Sequence, residues 1–249
     1  MSDDQDTDGV PVRTPGRLTG MPGALDVAFL LDGRVHCDLV LVRHGQQDFP
    51  DLTVTGIAGM VDPPLSAVGR MQAERVGLRF AGDHVDAVYA SPLLRAYDTG
   101  AAVAGHHGLE VQVRDDLREI EVYRDLPQDQ PLLELVGRER LLGYREAMIR
   151  HRRWDVYPGT ELSLDFRRRC CSVIDGIAVS HQGQRVVIAC HGGVINAYLA
   201  DLIGTPTDML FRPAHTAVNQ FRVGRDGARA IESIGDTGHL VGFEGLLTY

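Results

Sequence analysis

Two apolar runs in this chain, residues 37–43 and 185–190, each pass directly into a histidine followed by glycine: Arg43-His44-Gly45 and Cys190-His191-Gly192-Gly193. This pattern constrains the fold more than any other feature. A buried strand that delivers an imidazole at its carboxyl end, beside a glycine that lets a ligand approach the backbone, is a recurring way for parallel α/β sheets to build sites. Arg43, directly before the first histidine, adds a fixed positive charge that suits phosphate.

The segments between these runs alternate strand and helix patterns. Cys37 to Val42 reads as a strand, and Ser66 can cap a helix running to about Gly82. Val85 to Ala90 reads as a second strand, after which Ser91-Pro92 is expected to open an alanine-rich helix to about His106. Val111 to Arg114 is a short strand. From about Ile120 to Gly159 the alternation breaks into a Pro- and Gln-containing loop and a charged helical stretch, Leu132 to Arg153, a candidate lid. A helix from Glu161 to about Ser180 presents Leu162, Phe166, Cys170, Val173 and Ile177 on one face. The strand Arg185 to Cys190 and a helix from Val194 to about Ile203 follow, and Ala217–Val223 with Ala228–Ile234 form a hairpin. The expected architecture is a three-layer α/β/α sandwich with a mixed, mostly parallel sheet and a helical insertion near the site. Residues 1–25 are expected to be a disordered or loosely docked tail, and residues 26–249 a single domain with its insertion at about 120–160.

Composition narrows the chemistry. The chain has 249 residues, a formal charge of −9 and 25 basic residues, every one arginine. Without lysine there is no Schiff-base, P-loop or protein-kinase lysine. The acidic balance argues against general affinity for nucleic acid or anionic membrane, and the runs His151-Arg152-Arg153 and Arg167-Arg168-Arg169 read as solvated helix faces. Cys37, Cys170, Cys171 and Cys190 lack metal-ligand spacing and no secretory leader is evident, so a cytoplasmic protein with reduced thiols is expected. The ten histidines form no recognised metal motif. No metal and no cofactor are therefore expected, and no apolar run has the length of a membrane span.

Four ordered motifs, Arg43-His44-Gly45, Asp62-Pro63-Pro64-Leu65-Ser66-Ala67-Val68-Gly69-Arg70, Ser91-Pro92-Leu93-Leu94-Arg95-Ala96-Tyr97-Asp98-Thr99 and His191-Gly192-Gly193, together resemble the histidine phosphatase superfamily, which includes the phosphoglycerate mutases. The resemblance runs from about Asp38 to His239. It implies a metal-independent phosphomonoester hydrolase in which His44 is the nucleophile that becomes phosphorylated. Arg43 and Arg95 would hold phosphoryl oxygens and His191 would stabilise the transferring group, with Gln46 and Gly192 as further phosphate contacts. Glu119, in Leu117-Arg118-Glu119, matches the family's acid/base, and Glu121 is the alternative two residues on.

The chain also departs from the family pattern. Pro50 stands where many relatives have a phosphate-contacting asparagine, and Ile120 to Asp125 replaces a Gly- and Trp-containing segment. Glu161 is expected to act through the electrostatics of the helix start, and His239 is given no catalytic role. Two other functions are open at this point: a cofactor-dependent phosphoglycerate mutase, or a catalytically weak phosphate-binding regulatory module. The expected partner is a small phosphorylated substrate rather than nucleic acid or membrane. The oligomeric state is open, a homodimer included.

Overall fold

A computed structural model of the chain describes residues 22–51 and 53–249. Of the tail expected at residues 1–25, all but the last four positions lie outside the described residues, and Ala24–Ala28 forms a short helix, α1. The rest is built around a six-stranded sheet of β1 (His36–Arg43), β2 (Ala87–Ala90), β3 (Val111–Val113), β4 (Arg185–Cys190), β5 (Val218–Gly224) and β6 (Arg229–Asp236), in the order β3-β2-β4-β1-β5-β6. β1 and β2 each run parallel to β4, and β3 runs parallel to β2; β5 is antiparallel to β1 and β6 to β5. The fold is the mixed α/β sheet that the alternation predicts, with the C-terminal hairpin as its antiparallel edge.

Because side chains alternate across a strand, β1 feeds two cores. Leu39 and Leu41 pack with Phe166, Ile174, Ile195 and Tyr198 on one face. Val40 and Val42 pack with Val76, Phe80 and Val103 on the other. These contacts draw on the helices α3 (Ala67–Phe80) and α4 (Leu94–Ala104) on one side and α7 (Ser163–Ser180) and α8 (Gly192–Leu202) on the other. Each fully buried Leu, Ile or Phe contributes about 1.5–3 kcal/mol.

The insertion between β3 and α7 has its own small apolar cluster. Ile57, on the short helix α2 (Ile57–Val61), meets Tyr123 and Leu132 there, with Tyr144 and Tyr157 packed against them. The charged stretch is two helices, α5 (Leu132–Val136) and α6 (Arg138–His151), because Gly137 takes φ +81° between them. No helix among the described residues is long and apolar enough to cross a membrane.

Some local expectations are corrected. Ser66 caps α3 as expected, accepting from the Gly69 N–H at 3.0 Å. Ser91 is not the cap of α4. That helix begins at Leu94, and the Leu94 N–H donates instead to Asp62 Oδ1 at 2.7 Å. Asp62 is distant in sequence, which is why capping rules that read only neighbours miss it. Leu162 is exposed because α7 starts after it, and Ile174 occupies the buried face. Arg167 and Arg169 are not a solvated run. Arg167 donates to the Thr205 and Thr207 carbonyls, while Arg169 pairs with Glu161 and donates to the Asp116 and Arg118 carbonyls. Glu161 therefore precedes the helix and serves as the partner of Arg169.

Candidate active site

The register of the parallel strands sets the site. Arg43 lies opposite Cys190 and Ala90 opposite Ala189, so the chain leaves β1, β4 and β2 side by side at their carboxyl ends. His44, His191 and Ser91 are the residues that follow. The His44 and His191 rings are 5.1 Å apart between centroids, and both residues are buried.

His44 has a defined tautomer. Its Nδ1 lies 2.7 Å from the Gly45 carbonyl oxygen, a group that can only accept, so Nδ1 carries the proton. Nε2 is then a lone pair, and Arg95 Nε donates to it at 3.3 Å. Burial, reinforced by the Arg95 and Arg43 charges, holds the His44 pKa well below the usual imidazole value, so the ring is neutral at neutral pH. Arg95 is the second residue of α4, and its guanidinium also donates to the Val61 carbonyl at 3.1 Å and lies 3.9 Å from Asp62. Thr99, one turn on, accepts from the Gly45 N–H at 3.0 Å and donates to the Arg95 carbonyl, locking the turn after His44 to the helix that carries the arginine.

His191 is buried, with a pKa depressed by burial and by the neighbouring His44, Arg95 and Arg43. Its Nε2 lies 2.8 Å from Ser91 Oγ, which already accepts from the Leu93 N–H. If the Ser91 proton goes to Nε2, the ring proton sits on Nδ1, which is buried without a partner. Such a nitrogen is a donor available to an incoming oxygen.

Arg43 donates to the Pro213 carbonyl at 2.5 Å, and its buried Nε has no partner. Burial lowers its pKa to about 10, with Glu119 opposing, so it stays charged at neutral pH. Glu119 accepts from the Gly193 N–H at 3.0 Å through Oε2 and from the Ile120 N–H at 3.0 Å through Oε1. Burial raises its pKa, while those two N–H groups and the Arg95 and Arg43 charges pull the other way. Glu121 instead faces Arg118, which donates to it through two nitrogens. Arg169 steadies this segment from α7 through the Arg118 carbonyl at 2.9 Å.

The remaining predicted residues have less direct geometry. The Gln46 Oε1 accepts from Ser66 Oγ at 2.9 Å and its N–H donates to Gln72 Oε1, so Gln46 ties the loop after His44 to the start of α3. Gly192 stands beside Arg43, where an added Cβ would lie 3.7 Å from the Arg43 Nε. His239 lies 3.0 Å from Thr216 Oγ1 through Nε2 rather than in the histidine pair.

Two residues escape sequence reasoning. Ser91 reads there as a helix cap, and His215 has no motif around it. The His215 ring packs 5.8 Å from the His44 ring, and Thr248 fixes it through both its backbone and its Oγ1. A cavity of about 570 Å3 opens beside Arg43, Glu119 and Gly193, and its far wall includes Met148 and Trp154 of the insertion. The four cysteines are free and buried, and burial pushes the Cys37 and Cys171 thiols up to about 12, which leaves them protonated and unreactive.

Comparison with known proteins converges on one family. The histidine phosphatase superfamily (branch 1) matches residues 39–237. Phosphoglycerate mutase-like protein 4 of Arabidopsis thaliana is 32% identical over 209 residues, covering 82% of this chain and 87% of its own. The metal-independent phosphoserine phosphatase of the same plant is 30% identical over 211 residues, covering 83% and 85%. Among solved structures, Bacillus stearothermophilus YhfR superposes with a TM-score of 0.68 at 25% identity, covering 82% of this chain and 99% of that one.

Proposed function

The chain belongs to the histidine phosphatase superfamily, and from that premise we propose that it is a metal-independent phosphomonoester hydrolase working through phosphohistidine on His44. The observation that carries this reading is the state of His44. Its proton is held on Nδ1 by the Gly45 carbonyl, so the Nε2 lone pair faces the Arg95 guanidinium. A neutral imidazole with its lone pair next to a phosphate-binding arginine is arranged for attack on phosphorus.

A phosphoryl group entering the site takes over the Arg95 N–H and the free Arg43 Nε, and the His191 Nδ1–H supplies a further donor. These groups hold the nonbridging oxygens and offset the charge that develops in transfer. The His44 Nε2 forms the bond to phosphorus as the ester P–O bond breaks. The leaving alkoxide takes the proton of Glu119, whose pKa burial and a bound phosphate both raise. In the second step the Glu119 carboxylate takes a proton from water, whose oxygen attacks phosphorus. The P–N bond breaks, and His44 returns to its starting tautomer.

The test is phosphate release from a monoester panel in chelator, run beside His44→Ala. Turnover is expected in the unaltered protein and none above background in the variant. An acid-labile, base-stable phosphoenzyme should form in the unaltered protein alone. Near-normal turnover by His44→Ala overturns the mechanism.

A further inference from the structure

The cavity beside Arg43 and Glu119 measures about 570 Å3, within the roughly 300–1,000 Å3 of pockets that enclose a sizeable organic ligand. Away from Arg43 and Glu119 much of its surface is apolar: Met148 and Ile149 at the end of α6, Trp154 just beyond it, and Leu210 and Phe211 from the segment after α8. A small polar alcohol, such as the three-carbon part of a serine or glycerate ester, would leave most of this wall facing water. A bulky apolar group would cover it.

The charge of the wall is lopsided. Among the described residues, Arg43, Arg152 and Arg212 line it and Glu119 is the only acid that does. Arg212 donates to the Tyr249 carbonyl at 2.8 Å. Among the described residues, the Arg152 guanidinium has neither an ion pair nor a hydrogen bond. The reaction engages Arg43 at the phosphoryl group, and the charge of Arg152 is then left over. Trp154 adds a buried indole N–H with no partner.

This wall is held in place rather than left to close at random. Arg152 ends α6 in the left-handed region at φ +51°, an uncommon backbone for a residue with a side chain, and its N–H donates to the Met148 carbonyl at 2.8 Å. The Asp208 backbone N–H donates to the Arg152 carbonyl at 3.0 Å, and the Asp208 carboxylate accepts from the Trp154 backbone N–H at 3.0 Å. Asp208 is buried, and Ser163 and Arg167 of α7 fix its carboxylate. One buried residue, through its backbone N–H and its carboxylate, therefore sets the position of both Arg152 and Trp154 against the rest of the domain.

We propose that the cavity receives the alcohol portion of the substrate, and that the substrate is a phosphomonoester of a bulky, largely apolar alcohol bearing a second anionic group that pairs with Arg152. This rests on the phosphatase reading above and specifies it.

The test compares esters of primary alcohols, so that the leaving group stays comparable: phosphoserine, ethyl phosphate, 2-(1-naphthyl)ethyl phosphate and carboxylated forms of the naphthyl ester. kcat/KM is expected to rise at least tenfold from ethyl to naphthylethyl phosphate, and further for a carboxylated form. Trp154→Ala should reduce the naphthyl advantage about tenfold through lost ring contact. Arg152→Asn removes the charge with a residue that tolerates the left-handed backbone. It should lower the ratio of carboxylated to plain naphthyl ester about fivefold. Release from every ester with no preference for the naphthyl body, or a preference for phosphoserine, overturns the substrate class alone. No release from any ester overturns the phosphatase reading and this inference with it.

Discussion

Gly193 donates its backbone N–H to Oε2 of Glu119 at 3.0 Å, and the two are packed so closely that a Cβ at residue 193 would lie 2.2 Å from Oε1. The helix that follows the second histidine thus places the proposed acid as well as the histidine. Positive potential at a helix start steadies the carboxylate form there, whereas burial favours the protonated form.

Gly193→Ala separates these roles. Alanine in a helix is otherwise favourable by up to about 1 kcal/mol, so folding should survive, yet Glu119 has to move. The expected result is a kcat at least tenfold lower with little change in competitive inhibition by inorganic phosphate, measured by steady-state kinetics. An unchanged kcat would separate Glu119 from proton transfer.

The pH profile follows from the same carboxyl group. Burial raises the Glu119 pKa, and the first step uses its protonated form, so kcat/KM should fall as pH rises through that raised value. His44 must be neutral, and its pKa is depressed well below 6.5, so the acid limb lies far below the usual histidine range. Glu119→Gln should lose about 10²–10⁴ in kcat on alkyl esters. It should lose much less on p-nitrophenyl phosphate, whose leaving group needs no proton. Glu121→Gln, which removes only the partner of Arg118, should stay within about twofold of the unaltered protein.

Ser91→Ala tests the histidine partner that local sequence rules assign to helix capping. Without Ser91 Oγ, 2.8 Å from Nε2, the His191 ring loses the contact that selects its tautomer. Turnover should fall about tenfold while the melting temperature changes little, since α4 is capped by Asp62. A variant with normal kcat would show that the His191 tautomer is set elsewhere.

What was legible in the sequence is what the chain encodes locally. Strand-ending histidines, the Ser66 cap and the apolar run of β1 are local patterns, and β1 and β4 emerge side by side. The contacts that escaped are joined across the fold. Asp62 caps a helix 32 positions away, and His215, hydrogen-bonded to Thr248, packs against the His44 ring. The pair Glu119 and Glu121 could not be separated by spacing in an extended segment. The structure distinguishes them because one accepts from Gly193 and the other faces Arg118.

Stability should also carry the signature of buried neutral histidines. His44 and His191 lie well below 6.5, and burial lowers His215 to about 3 with help from Arg43. Each is depressed in the folded protein relative to the unfolded chain, so between those values the unfolded chain binds more protons. Stability is then fully present above about pH 6.5 and is lost as pH falls toward the folded values. Glu119 is raised, so its contribution has the opposite sign, present at low pH and lost as pH rises through its folded value. Four depressed histidines, His239 at about 4 among them, outnumber the raised carboxyls Glu119, Asp98 and Asp175 and predict a melting temperature that falls steadily below about pH 6.5. His215→Asn removes one titrating ring without adding a charge, and should flatten that slope even if it lowers the plateau. Thermal melts of both proteins from pH 7.5 to 4.5 read the difference directly. Parallel slopes would show that His215 does not titrate on unfolding.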